Sequence, residues 1–330
     1  MRSVGIIGTG SYLPDRVLTN ADLEKMVDTS DEWIVSRTGI RERRIASEDQ
    51  ASSDLAVEAA QRALDAAGIT AEQLDLIVVG TVTPDMTFPA TACLVQDRLG
   101  AKKAATFDVS AACTGFIYGV SVAAQFIKTG VYEHALVIGV DCLSRITNYT
   151  DRNTCVLFGD GAGATVLGPV EDGEGFLSFE LGGDGAGGHL LKQEGGGSRT
   201  PASEETVANN MHTISMNGRE VFKFAVRVIG ASSEAALGKA GLGKEDIDHL
   251  IPHQANMRII DAAVDRLGIS KERVVVNLDR CGNMSSASVP VALDQAVQEG
   301  RIHRGDTVVL VGFGGGMTWG ATVVKWSLPS

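Results

Sequence analysis

The sequence predicts an α/β protein of five layers, ordered α/β/α/β/α, built from two duplicated halves. Three features carry this reading. The first is a long internal repeat. Ala67-Gly68-Ile69-Thr70 leads through Leu74-Asp75 into the apolar run Leu76-Ile77-Val78, and Ala240-Gly241-Leu242-Gly243 leads through Ile247-Asp248 into His249-Leu250-Ile251. Ala67 faces Ala240, and Gly139 of Leu136-Val137-Ile138-Gly139 faces Gly312 of Val309-Leu310-Val311-Gly312, an offset of 173 residues in both cases. A period that long marks a duplicated domain rather than a solenoid. The second feature is alternation of short apolar runs with longer helical patterns in each half. The third is a segment, 113–128, that is apolar nearly all round and so calls for burial on every side.

Taken in order, Val4–Gly8 reads as a first strand, and Leu177–Leu181 is its weaker counterpart 173 residues on. Ser53–Ala67 reads as a helix that stops at Gly68. Leu76–Gly80, Ala105–Val109 and Leu136–Val140 read as buried strands, and 113–128 as the helix between the last two. The join falls near Asp172-Gly173, which divides the chain into halves 1–172 and 173–330. Residues 182–210 are rich in Gly, Ser and Glu and lack periodicity, so they read as a long surface excursion. Val221–Lys239 reads as a helix, and the glycine turn 312–316 closes the last repeated strand.

Composition narrows the function classes. Of 330 residues, 44% are hydrophobic, which is ample for a large core, and the net charge of −12 argues against bulk nucleic-acid binding. Every long apolar run is cut by Gly or a charge, so no membrane span is expected, and the N-terminus reads as a strand rather than a signal peptide. Cys93, Cys113, Cys142, Cys155 and Cys281 form no CxxC pair, so neither a zinc site nor a disulfide framework is expected. A cytoplasmic address follows.

Three side chains stand where chemistry is plausible. Cys113 lies in Phe107-Asp108-Val109-Ser110-Ala111-Ala112-Cys113-Thr114-Gly115-Phe116, a strand-to-helix elbow crowded with small residues. A thiol at a helix N-terminus sees the positive end of the dipole, which favours thiolate. A lone Cys is otherwise a small buried hydrophobe. His253, in Pro252-His253-Gln254-Ala255-Asn256, follows the repeated strand at the end where open α/β sheets bind ligands. Taken alone it reads equally well as a satisfied rim histidine. Asn283, in Arg280-Cys281-Gly282-Asn283-Met284-Ser285, reads equally well as an N-cap. The repeat register maps Cys113 onto position 286, so Asn283 lies at the elbow of the second half, and a pseudo-twofold axis would bring both elbows to one site. The turn Gly312-Phe313-Gly314-Gly315-Gly316 is either a plain tight hairpin or a source of backbone N–H donors for a thioester oxygen. The other histidines, His134, His189, His212, His249 and His303, receive no role.

With Cys, His and Asn in this arrangement, the chain resembles the β-ketoacyl-acyl carrier protein synthase III family over essentially its whole length. The resemblance rests on Asp31-Glu32-Trp33-Ile34 with Arg37-Thr38-Gly39-Ile40, Ala112-Cys113-Thr114-Gly115-Phe116, Phe158-Gly159-Asp160-Gly161-Ala162-Gly163, His253-Gln254-Ala255-Asn256, Gly282-Asn283, and Phe313-Gly314-Gly315-Gly316-Met317-Thr318-Trp319-Gly320. It implies a thiolase-like fold, a homodimer and a ping-pong decarboxylative condensation. A short acyl group passes from coenzyme A to Cys113, and malonyl-acyl carrier protein then extends it, with no metal or redox cofactor. It further implies His253 and Asn283 as donors to the enolate, and the backbone N–H groups of Cys113 and Gly315 as the oxyanion hole. Thr29, Trp33, Arg37, Arg152 and Asn256 resemble coenzyme A contacts. Gln254 and Arg258 resemble carrier-protein contacts. Leu143, Phe158 and, from across the dimer, Phe88 resemble the acyl-pocket lining.

Cys281 departs from the family pattern, where an aromatic residue is usual before Gly-Asn, and Met317 stands where Phe is common. Both bear on primer choice, which stays open between acetyl, longer straight-chain and branched groups. Two other readings stand beside this one: a polyketide or quinolone-type condensing enzyme with the same three residues, and a non-catalytic acyl-coenzyme A binding protein. Intact Cys113, His253 and Asn283 argue against the second.

Overall fold

The structure is a computed structural model that describes residues 2–329. Nine strands form the two main sheets: β1 (Val4–Tyr12), β2 (Leu76–Gly80), β3 (Ala105–Val109), β4 (Ala135–Cys142), β5 (Asp160–Pro169), β6 (Gly175–Gly183), β7 (His249–Pro252), β8 (Thr307–Gly314) and β9 (Thr318–Lys325). The first sheet has the order β1-β5-β4-β2-β3, and the second β7-β8-β9-β6. Within the first, β2 runs parallel to β3 and β4, while β5 is antiparallel to β4 and β1. Within the second, β7 and β8 are parallel and β9 is antiparallel to β8 and β6. The chain passes from one sheet to the other between Pro169 and Gly175.

Parallel strands β2, β4, β7 and β8 are near-continuous apolar runs because both faces are covered, whereas β3, expected from the sequence to be buried, is an edge strand with Ala105 exposed and 106–109 only half-buried. Of helices α1 (Asp31–Thr38), α2 (Ser52–Ala67), α3 (Thr91–Leu99), α4 (Gly115–Lys128), α5 (Gly218–Lys239), α6 (Met257–Leu267) and α7 (Ser288–Gln298), all but α1, which rests on α6, supply the covers. Helix α2 packs on the outer face of the first sheet, and α5, with α6 behind it, on the outer face of the second. Helices α4 and α7 lie between the sheets and touch both. These are the five layers expected. Helix α4, however, is not covered on every side: Val122 is 37% exposed and Gln125 is exposed beside it. Two helices share the middle layer, so each keeps a flank that neither sheet reaches.

Elements related by 173 residues recur through the molecule. Strand β2 corresponds to β7, β4 to β8, and the start of α4 at Gly115 to the start of α7 at Ser288. Both central helices are entered through one 3₁₀ turn, Ala112–Thr114 and Ser285–Ala287. Each turn opens on a non-glycine residue in the left-handed region, Ala112 with φ 47° and Ser285 with φ 49°. Such residues are uncommon, and here they produce the sharp bend of each elbow. The halves differ at two places. Residues 143–159 intervene between β4 and β5, where 315–317 form only a tight turn between β8 and β9. Strand β3 is matched in register by Leu278–Cys281, a single helical turn. The glycine-rich excursion holds a small hairpin, Leu191–Gln193 with Ile214–Met216, which folds back over the elbow of α4.

Candidate active site

A cavity of about 780 Å³ opens at the carboxyl ends of the parallel strands, and Cys113, His253 and Asn283 all line it together with Phe158, Phe313 and Gly314. A smaller cavity of about 230 Å³ meets it at Cys113 and Phe158 and is walled by Val82, Leu143, Ile146, Leu191 and Ile214. Cys113 therefore stands at the junction of a wide cavity and a smaller, mostly apolar one.

The two elbows meet because glycines leave room for them. A Cβ on Gly314 would lie 2.6 Å from the backbone nitrogen of Cys113, and one on Gly139 would collide with the Ser286 carbonyl. Thr114 Oγ1 donates to the Ala111 carbonyl at 2.6 Å and lies 2.9 Å from Thr318 Oγ1, which ties the Cys elbow to the start of β9. Asn283 is pinned to the chain beside Phe158: its N–H donates to Leu157 O at 2.8 Å, and its carbonyl accepts from Gly159 N at 2.9 Å. Its side-chain oxygen accepts from Ser285 N at 2.9 Å. That contact orients the amide, whose nitrogen is the group that can donate.

His253 is fully buried, and burial lowers its pKa to about 3, so the imidazole is neutral at any working pH. Its backbone N–H donates to Val311 O at 2.7 Å, and its ring meets Phe313 edge-on with centroids 5.3 Å apart. Nδ1 lies 2.6 Å from Ser288 Oγ, while Nε2 is buried with no protein partner. An unpartnered ring nitrogen on a cavity wall is available to a ligand.

Cys113 differs from the sequence expectation. Its residue is partly accessible through the cavity, yet burial pushes its thiol up to about 12, Asp141 adds to the rise, and the Ser285 hydroxyl opposes it. A helix end contributes about 1 kcal/mol at most in exposed settings. Desolvation against an apolar wall outweighs it, so the resting group is a thiol rather than a thiolate. Asp141 is wholly buried and accepts from Thr81 Oγ1 at 3.0 Å, Val82 N at 2.8 Å and Ser286 N at 3.1 Å. Burial nevertheless raises its pKa.

At the entrance, the Arg152 and Arg37 guanidinium carbons lie 5.1 Å and 5.9 Å from the Trp33 ring centroid. Trp33, Arg37, Asn256 and Arg258 line the large cavity. Asn256 caps α6 and donates to the Arg37 carbonyl at 3.1 Å, so it holds α1 against α6. Thr29 and Arg152 lie outside the cavity wall, Arg152 donating to Asp28 O at 2.8 Å. Leu143 and Phe158 line the small cavity together with Gly315. Phe88 is 83% exposed and lines neither cavity of its own chain.

Gln254 corrects the sequence expectation of a carrier-protein contact. It is fully buried, its amide nitrogen donates to Pro252 O at 2.8 Å and Val275 O at 3.1 Å, and its oxygen accepts from Asn277 N at 3.1 Å. With no free surface it cannot touch a docked protein; it braces the loop that carries His253. Sequence reasoning also passed over Ser285, Ser288 and Asp141. The offset of 173 pointed to the elbow 285–288 but not to what its hydroxyls touch.

Comparisons with known proteins place the chain in a family. Residues 107–185 match the family 3-oxoacyl-[acyl-carrier-protein] synthase III, and residues 237–326 match its C-terminal part. The chain is 67% identical over 327 residues to a β-ketoacyl-[acyl-carrier-protein] synthase III of Desulfitobacterium hafniense, covering 99% of each. A crystal structure of 3-oxoacyl-[acyl-carrier-protein] synthase III from Aquifex aeolicus superposes with a TM-score of 0.92 at 48% identity, covering 98% of this chain and 100% of that one. The priming β-ketosynthase of the R1128 polyketide pathway also superposes with a TM-score of 0.92, at 37% identity over 100% of this chain and 98% of the other. Two family matches in order and two-thirds identity across nearly the full length lead to one conclusion: this chain belongs to the 3-oxoacyl-[acyl-carrier-protein] synthase III family.

Proposed function

We propose that the chain joins a short acyl group from coenzyme A to malonyl-acyl carrier protein, with loss of carbon dioxide, as the first condensation of fatty acid synthesis. The observation that carries this is the meeting of Cys113, His253 and Asn283 where a wide cavity joins a smaller, mostly apolar one. Cys113 is the nucleophile. Its sulfur bonds to the acyl carbon, the bond to coenzyme A breaks, and the thiol hydrogen ends on the departing coenzyme. Backbone N–H groups of Cys113 and Gly315 hold the developing oxyanion.

In the second half, the malonyl carbon–carbon bond breaks and carbon dioxide leaves. The electron pair forms an enolate, whose oxygen accepts from His253 Nε2 and the Asn283 amide nitrogen. The enolate carbon attacks the acyl-Cys carbonyl and expels the sulfur, which regains a proton from solvent. Thiol, imidazole and amide suffice, so no metal or other cofactor is needed.

Leu143 and Phe158 line the primer pocket, with Phe88 of a second copy closing it. Trp33, Arg37 and Arg152 hold the nucleotide of coenzyme A beside Thr29, Asn256 meets the pantetheine, and Arg258 meets the acidic carrier. A homodimer is supported by the open edge strand β3 and by Met86 and Phe88, exposed by 47% and 83% on one loop. The halves 1–172 and 173–330 are each organised around one sheet. A cytoplasmic location accords with five free thiols; among the described residues no helix is long and apolar enough to cross a membrane.

A polyketide-type role is the second reading, favoured by the R1128 enzyme's likeness; 67% against 37% identity decides against it. The test is mass spectrometry after incubation with acetyl-, isobutyryl- and octanoyl-coenzyme A, with Cys113→Ala as control. One acyl group on Cys113, discharged by malonyl-carrier protein with release of carbon dioxide, is the expected result. Discharge by malonyl-coenzyme A alone would transfer the assignment to the polyketide-type reading.

A further inference from the structure

The buried elbow of the second half holds a hydroxyl that the proposed reaction does not yet use. Ser288 is wholly buried at the start of α7, and its Oγ lies 2.6 Å from His253 Nδ1 and 2.9 Å from Ser285 O. Gln254 N also points at Oγ, at 3.4 Å. A hydroxyl has one hydrogen to give, so Ser285 O and Nδ1 compete for it.

The competition is unequal. Ser285 O already receives the backbone N–H of Ser288, so it is not stranded if the hydroxyl turns away. Nδ1 has no other donor among its contacts, and it is the closer of the two. The Gln254 N–H takes one of the two lone pairs of Oγ, at 3.4 Å. The imidazole is neutral and so carries a single hydrogen of its own. If Oγ donates to Nδ1, that hydrogen must sit on Nε2, the nitrogen on the cavity side that lacks a protein partner.

We propose that Ser288 is a positioning residue that fixes His253 as the Nε2–H tautomer by donating to Nδ1. This rests on the reading of His253 as a donor to the enolate. The edge-on Phe313 ring restrains rotation of the imidazole, and the Ser288 hydrogen bond then sets which atom faces the substrate with a hydrogen. The device matters for decarboxylation, where an oxygen gains negative charge and needs a donor. It matters less for acyl transfer to Cys113, where backbone N–H groups serve the oxyanion.

The test uses the full chain labelled with ¹⁵N-histidine, together with Ser288→Ala, Ser288→Thr, Ser286→Ala and His253→Ala. Nitrogen NMR reads which ring atom is protonated. Wild-type His253 is expected to be protonated at Nε2, and Ser288→Ala to lose that single form. Malonyl-carrier decarboxylation is expected to fall at least tenfold in Ser288→Ala, while acylation of Cys113 from acetyl-coenzyme A changes less than threefold. Ser288→Thr, if folded, restores both signatures. Ser286→Ala, which removes an unpartnered hydroxyl from the same turn, leaves both rates unchanged and controls for disturbance of the elbow. Wild-type His253 protonated at Nδ1, or equal losses in both half-reactions of Ser288→Ala, overturns the proposal. If His253→Ala itself leaves decarboxylation intact, the donor role of His253 fails first, and the result is read as a failure of that premise.

Discussion

Replacing Gln254 by Ala separates a bracing role from a docking role. The side chain makes three buried hydrogen bonds, two to the carbonyls of Pro252 and Val275 and one from Asn277 N–H. Truncation leaves those groups without this partner in a site that water does not reach. Each orphaned buried group costs about 1–3 kcal/mol, so the three together cost roughly 3–5 kcal/mol after partial relaxation. That is a large share of the 5–15 kcal/mol typical of folded domains. Urea unfolding followed by circular dichroism is expected to give a lower midpoint with an unchanged slope. Under conditions where the variant stays folded, KM for malonyl-carrier protein is expected to remain within about twofold of wild type, while kcat falls because the His253 loop loses its brace. Unchanged stability with a raised carrier KM would refute the reasoning and return Gln254 to the docking surface.

Three further outcomes follow from the site. Alkylation of Cys113 by iodoacetamide should accelerate about tenfold per pH unit from pH 6 to 9, since a thiol pushed up to about 12 does not level off in that range; a plateau near pH 8 would contradict the buried-thiol account. His253 is held neutral to about pH 3, whereas in the unfolded chain it titrates near its ordinary value of 6.5. Between those values the unfolded state binds the extra proton, so stability is full above pH 6.5 and declines as pH falls through the window. His253→Asn should flatten that slope in urea titrations at pH 4–7, and parallel slopes would sink the assignment. Sedimentation should return twice the chain mass, and Phe88→Ala should alter primer selectivity without unfolding the chain; a monomer with unaltered selectivity would remove Phe88 from the primer pocket.

The layers were readable because duplication preserved the spacing of strands, turns and helix starts. The same offset that aligns Ala67 with Ala240 also aligns Ala112 with Ser285. Departures occur where tertiary contacts replaced a local rule. Leu278–Cys281 turns helically opposite a strand, and no pattern in four residues signals that. The apolar surround of α4 overstated its burial, because periodicity reports a side chain's character and not which flank a sheet covers. Gln254 looked accessible because a polar residue after a strand reads as a loop tip; only the carbonyls around it explain its burial. The state of Cys113 escaped the sequence for a similar reason. Its dipole is local and legible, but the wall that desolvates it comes from residues 82, 143, 146 and 158.

The glycine contacts at the seam have a consequence for a site that must host two guests in turn. Gly314 abuts the Cys113 backbone and Gly139 abuts the Ser286 carbonyl, so the separation of the two elbows is set by main chain resting on main chain. A side-chain spacer could switch rotamers when one thioester leaves and the next arrives; a backbone stop has no second position to adopt. The gap between sulfur and amide therefore works as a fixed gauge, cut to the same width for the acyl donor and for the extender.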